Sequence, residues 1–197
     1  MNWIGSRGGR MARIANRLSR LLGSGAAAPS WPMPEPLPSA QGPIAIRPGR
    51  ASDVPALLPM IAKTTALHQG WDSAKFGFVD DIVPKYGAWL KAQVPDPRFV
   101  FLVAAIADRP VAYLIAAVES AAPIYRPAEY GFIRDLWVDE DHRRAGIGQA
   151  LLRAAIARFA ALGITQVRLE TAAANEAARR FFASCGFRPS ATEMLIE

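Results

Sequence analysis

The residue types most suited to chemistry stand together at Arg143, Arg144, Ala145, Gly146, Ile147 and Gly148. On their N-terminal side Leu136 and Val138 are apolar and two apart, the period of a short strand that opens near Phe132. Asp139, Glu140, Asp141 and His142 then read as a polar turn. On the C-terminal side Leu151, Leu152, Ala155, Ile156 and Phe159 recur at steps of three and four, which is a helix period. Two glycines at a helix start let the backbone come close to a ligand. The first turn leaves N–H groups without intrahelical partners and carries partial positive charge, so it favours an anion. Strand, glycine turn and helix make a phosphate-binding arrangement. It is not a P-loop, which would end in Gly-Lys-Ser/Thr, nor a dinucleotide fingerprint, which fails because Leu151 stands where a third glycine belongs.

Arg143-x-x-Gly146-x-Gly148 after an apolar strand resembles the R/Q-x-x-G-x-G/A signature of the GNAT N-acetyltransferases. Downstream, Asn175 and then Phe181-Phe182-Ala183-Ser184-Cys185-Gly186-Phe187 resemble that family's N-x-x-A-x-x-x-Y-x-x-x-G-F segment. Upstream, Ile46-Arg47-Pro48 and Asp53 resemble its first strand and first helix start. The likeness covers residues 43–197. It implies an N-acetyltransferase that moves the acetyl group of acetyl-CoA to a primary amine by direct attack in a ternary complex, with no metal.

Acetyl transfer needs a held cofactor, a polarised carbonyl, a deprotonated amine and a stabilised leaving thiolate; proximity does much of the work. By resemblance, the backbone from Arg144 to Gly148 takes the pyrophosphate, with Arg143 adding charge. By the same resemblance, the backbone of Leu136, Trp137 and Val138 is expected at the gap where the family's fourth strand splays from the fifth, with one N–H there polarising the acetyl carbonyl. Asn175 resembles the residue that bonds the pantetheine, and it also suits a helix N-cap. Glu170 resembles the proton acceptor of the ribosomal-protein N-terminal acetyltransferases; Asp135 and Glu129 are alternatives by position, and His68 a more distant one. Where the family carries Tyr as acid, this chain has Phe182, so a non-catalytic acetyl-CoA sensor is the alternative. Cys185 reads as a small core residue and not as a nucleophile. The acceptor, a small amine or a peptide amine, is expected against His68, Trp71, Asp72, Phe76 and Tyr86.

The elements that must position these residues follow from periodicity. Residues 44–47 read as a strand, and Asp53 as the N-cap of a helix with Pro55 just inside it. A loop is expected over 68–77 and a second helix over 79–91. Apolar runs at 99–107 and 111–118 flank Asp108-Arg109-Pro110 as a hairpin, and 132–138 adds a third strand. A helix over 148–162, a strand over 166–171, a helix over 175–184 and a last strand over 193–196 complete a mixed α/β fold. Its order is βαα-βββ-α-β-α-β, with a mostly antiparallel, splayed sheet flanked by helices.

Composition sets the outer bounds. Half of the 197 residues are apolar and 20% are charged, which suits one globular domain with a tail. With one cysteine and two histidines, no intrachain disulfide and no zinc enzyme are expected, and the setting reads as cytoplasmic. No apolar run is long enough to span a membrane. Of the formal charge of +6, four belong to residues 1–42, which hold five arginines against Glu35. The domain at 43–197 is therefore close to neutral, and no nucleic acid is expected as its partner. Residues 1–42 read as a basic, Pro/Ala-rich disordered tail and linker. Its first 23 residues have the makings of a short amphipathic helix, or lie upstream of a start at Met11 or Met33. A homodimer is left open.

Overall fold

Alternate side chains of the central strands go to opposite faces of one sheet, and each face is covered by its own pair of helices. The computed structural model describes Trp31 and residues 33–197. Its elements are β1 (Ile44–Pro48), α1 (Val54–Trp71), α2 (Ile82–Gln93), β2 (Phe99–Ile106), β3 (Arg109–Ser120), β4 (Glu129–Val138), α3 (Ile147–Ala161), β5 (Val167–Leu169) and α4 (Glu176–Ser184). The five strands lie side by side in chain order. β1 to β4 pair antiparallel, and β5 joins β4 in parallel.

One core lies under α3 and α4. Leu102, Ala104, Ala112, Leu114, Ala116 and Ile133 meet Ile147, Leu151, Ala155 and Phe159 there, with Phe181 and Phe182 at its margin. The other lies under α1 and α2, where Phe101, Val103, Tyr113, Ile115 and Trp137 meet Val54, Leu57, Met60, Ile61 and Leu90. This alternation is the period-2 pleat of a sheet with both faces covered. In β4 it is interrupted once. Ile115 pairs with Asp135 but Ala116 with Ile133, so Arg134 is the extra residue of a bulge. The bulge keeps Ile133 on the α3 face and Asp135 on the α1 and α2 face.

The ends of the first two elements are tied by charge. Arg47 donates from Nη1 and Nη2 to Asp53 Oδ2 and Oδ1 at 2.7 and 2.8 Å, and the Arg50 N–H donates to Oδ2 at 2.7 Å. Asp53 holds the N-cap place of α1, yet its side chain accepts nothing from that helix. Arg47, against the opposing effect of burial and with help from the Arg50 N–H, holds the Asp53 carboxyl below the usual carboxylate range.

Several boundaries differ from the sequence reading. α1 runs on through His68 to Trp71, so the first residues of the expected loop are helical. α2 starts only at Ile82, after Asp81 at φ 58°. The hairpin turns on Ala107 and Asp108, both at positive φ, as a two-residue primed turn requires, and Arg109 and Pro110 already belong to β3. The expected strand over 193–196 does not form. A strand needs a ladder partner, β5 has only three residues, and Glu193 is instead paired with Lys75. Within the stretch read as linker, Trp31, Met33 and Leu37 pack against the α3 core, and Leu37 bridges to Ile44. The arginine-rich stretch 1–23 lies outside the described residues. Among the described residues no helix is long and apolar enough to cross a membrane.

Candidate active site

β4 has β3 beside it along its whole length but β5 along only part of it. The parallel ladder consists of Gly131 with Val167, Phe132 with Arg168 and Ile133 with Leu169. Leu136, Trp137 and Val138 pair only with Leu114, Tyr113 and Ala112 of β3. Beyond Ile133 the two strands therefore part, and one edge of β4 is left open. Arg143 closes the end of that edge, its Nε donating to the Val138 carbonyl at 3.0 Å. Its guanidinium lies 4.9 Å from the centre of the Trp137 ring.

The chain leaves β4 through a 3₁₀ turn at Glu140–His142 and reaches α3 by two left-handed residues, Arg144 at φ 64° and Gly146 at φ 77°. Gly146 is the N-cap of α3, and no side chain caps it. The first helical bond is donated by Ala150 to the Gly146 carbonyl at 3.0 Å, which leaves the N–H groups of the first turn free for an anion. Ile147 is buried, so only its backbone faces outward. A Cβ on Gly148 would sit 3.2 Å from the Phe181 ring and 3.8 Å from Val138. Phe181 of α4 thus packs against the start of α3. At the head of α4, Asn175 accepts the Ala178 N–H through Oδ1 at 3.1 Å, which caps the helix and leaves its NH₂ group free.

On the other face, Tyr86 of α2 donates its hydroxyl to Oδ2 of Asp135. Burial pushes the Asp135 carboxyl above the usual carboxylate range; the Tyr86 hydrogen bond, His68 and Arg134 oppose it. The Tyr86 phenol is pushed well up, first by burial and then by the Asp135 charge. Behind this pair, Thr64 gives its hydroxyl proton to the Met60 carbonyl at 2.9 Å, so Tyr113, 3.2 Å away, donates to Thr64 Oγ1. The Thr64 carbonyl lies 2.8 Å from His68 Nδ1. A carbonyl only accepts, so Nδ1 carries the proton and Nε2 is the free nitrogen. The buried Trp137 Nε1 has no partner.

A family model described as the acetyltransferase (GNAT) family matches residues 65–187, more than half of the chain. The chain belongs to the GNAT acetyltransferases. Three solved structures illustrate the shared fold. A GCN5-related N-acetyltransferase from Ralstonia eutropha is 25% identical, with a TM-score of 0.61 over 78% of this chain and 97% of that one. An aminoglycoside antibiotic 6′-N-acetyltransferase from Acinetobacter haemolyticus is 17% identical, with a TM-score of 0.62 over 77% and 96%. A predicted acetyltransferase from Clostridium acetobutylicum, in a structure with acetyl-CoA, is 17% identical, with a TM-score of 0.63 over 78% and 96%. No curated protein matches the chain significantly.

The GNAT span contains every candidate catalytic, cofactor and acceptor residue read from the sequence, and the structure sorts them. Leu136, Trp137 and Val138 lie on the open edge of β4, and Arg143 to Gly148 form the turn into α3. His68, Trp71 and Phe76 form one cluster, with ring centres 5.2 Å apart for His68 and Trp71 and 4.8 Å for His68 and Phe76. Asp72 is exposed, and its Oδ1 accepts the Lys75 N–H at 3.0 Å, shaping the loop. Glu170 is exposed, one residue past the end of β5. Phe182 packs between Phe181 and Phe187, with ring centres at 5.1 and 5.7 Å. Thr64, Tyr113 and the bulge at Arg134 were not singled out. The signal for Tyr113 was a lone hydroxyl in an otherwise apolar run. The contacts of Thr64 and the bulge need the fold to appear. Among the described residues no group of three or more His, Cys, Asp or Glu side chains could hold a metal ion.

Proposed function

We propose that the protein transfers the acetyl group of acetyl-CoA to a primary amine within a ternary complex. The observation that carries this reading is the junction of two openings: the unpaired edge of β4 ends at the uncapped start of α3. Acetyl-CoA fits that junction in kind. The free N–H groups of the α3 first turn suit its pyrophosphate, and Gly148 keeps the approach clear where any side chain would press on Phe181. When bound, it supplies a thioester already activated for attack by an amine. Backbone groups of Leu136 to Val138 and the amide of Asn175 orient its arm. Arg143, turned onto Val138 and Trp137, is placed to move toward the phosphates.

Asp135 is the proton acceptor in this account. Its partial burial and its place beside the bulge at Arg134 support the role, because a carboxyl raised toward neutrality is a better base than an exposed one. Tyr86 holds Oδ2, leaving Oδ1 to take the proton of an incoming ammonium. Glu170, exposed and without a hydrogen bond, is the second candidate. Phe182 has no proton to give, so α4 supplies no acid. That same residue favours a second reading, an acetyl-CoA sensor without turnover. Thiol release from acetyl-CoA in the presence of mixed primary amines, with mass detection of acetylated products, tests the proposal. Product formation is expected; binding of acetyl-CoA with no acetylated amine supports the sensor.

A further inference from the structure

We infer that the acceptor is a monoamine on a flat apolar body, an arylalkylamine in chemical class, with its ammonium at Asp135 and its body against His68, Trp71 and Phe76. The inference rests on the acetyl-transfer reading and names the substrate of that same site.

Three observations carry it. Trp71 and Phe76 are half-buried, yet neither belongs to the two cores that hold the fold together. Both rings meet His68 edge-on, and the His68 ring is fixed by its Nδ1–H bond to the Thr64 carbonyl at 2.8 Å. Three rings thus held in place form a surface for another flat group, since aromatic rings favour offset and edge-on contacts. Thr64, whose carbonyl holds the His68 ring, also bonds through Oγ1 to Tyr113, two residues along β3 from Ile115, the partner of Asp135, which puts the cluster on the face of the sheet that Asp135 occupies.

Charge decides between a single ammonium and several. Glu119 faces Arg134, Glu193 faces Lys75, Glu129 lies 2.6 Å from Arg98 and Asp139 lies 3.4 Å from Lys63. Asp135 holds no such partner; its one hydrogen bond comes from a phenol. The unpaired Asp72 and Glu170 are exposed to water, where a second ammonium of a polyamine or aminoglycoside gains little from an ion pair, whereas Asp135 is half-buried. A monoamine brings one, and the rings add a cation–π attraction to it.

The 197-residue chain is given saturating acetyl-CoA with phenethylamine, hexylamine, spermidine, kanamycin or a short peptide with a free N-terminus, and thiol release is followed. Phenethylamine is expected to exceed spermidine, kanamycin and the peptide in kcat/KM by about tenfold or more. Trp71→Leu and Phe76→Leu should each lower kcat/KM for phenethylamine by about tenfold, hexylamine less, with calorimetric affinity for acetyl-CoA unchanged. Preference for a polycation or the peptide would overturn the inference, as would an equal loss for every amine in folded variants. Acetyl-CoA binding without turnover of any amine overturns the acceptor class but leaves the cofactor reading standing. Failure to bind acetyl-CoA removes the reading beneath it.

Discussion

The Tyr86 hydroxyl, brought by α2, donates to Oδ2 of Asp135, which a bulge in β4 turns onto the same face. The pair gives one fixed hydrogen bond to a half-buried carboxyl two residues beyond Ile133, where the β4–β5 ladder ends. If Asp135 is the base proposed above, activity and stability make opposite demands on one side chain.

Asp135→Asn keeps the acceptor for the Tyr86 proton but removes the base. It should lower kcat by about a hundredfold or more, with acetyl-CoA affinity nearly unchanged. The same change should make the fold more stable at neutral pH. Burial raises the folded carboxyl above its unfolded value, so the native state binds the extra proton and stability falls as pH rises between the two. The gain should be about 2–4 °C in Tm for each kcal/mol recovered, fading below the ordinary carboxylate range. Thermal unfolding at pH 4 and pH 7.5, beside steady-state kinetics, checks both halves.

Tyr86→Phe should move the acid limb of the kcat/KM profile upward in pH. The hydrogen bond favours the charged carboxylate, and its loss leaves burial less opposed. A limb that stays in place in the folded variant would show that Asp135 is not the titrating group.

Arg47→Ala should destabilise the fold by about 3–5 kcal/mol, because it leaves the carboxylate of Asp53 buried without its partner. The Asp53 side chain is only 8% exposed. Its folded carboxyl lies below the unfolded value, so the stabilisation is full above the ordinary carboxylate range and is lost as pH falls through the depressed one. Urea titrations of both proteins at pH 3 and pH 7 should show the difference shrinking in acid.

A chain beginning at Trp31 should unfold at a higher temperature than one beginning at residue 43. Trp31 stacks on Arg158, 4.5 Å from the guanidinium to the ring centre. Arg158 is buried and donates to the Pro97 carbonyl at 2.7 Å. Losing Trp31, Met33 and Leu37 removes about 1.5–3 kcal/mol for each side chain to the extent that it is buried. Equal melting of the two chains would show that the segment contributes nothing.

The fold was legible where local period and backbone chemistry act alone. The strand, glycine turn and helix from Phe132 to Phe159 form as read, because Gly146 takes a conformation few other residues accept. Asn175 caps α4 through its own side chain, a contact that spans three residues. What was not legible depends on residues distant in the chain. Asp135 is half-buried and gains its hydrogen bond only when α2 brings Tyr86 from 49 residues away. Trp31 reads as linker because its partner, Arg158, lies on the far side of the sequence. Residues 193–196 have a strand's composition but no neighbour to pair with.

The central claim is that the start of α3, beside the open edge of β4, holds acetyl-CoA. Isothermal titration of the 197-residue chain tests it, with Gly148→Glu and Ala145→Glu alongside. Ala145 is exposed, so its variant adds a carboxylate to the anion site without crowding Phe181. Saturable binding by the parent chain, abolished in Gly148→Glu and weakened at least tenfold in a cooperatively folding Ala145→Glu, is the predicted result. Unchanged affinity in Ala145→Glu, or no binding by the parent chain, would contradict it.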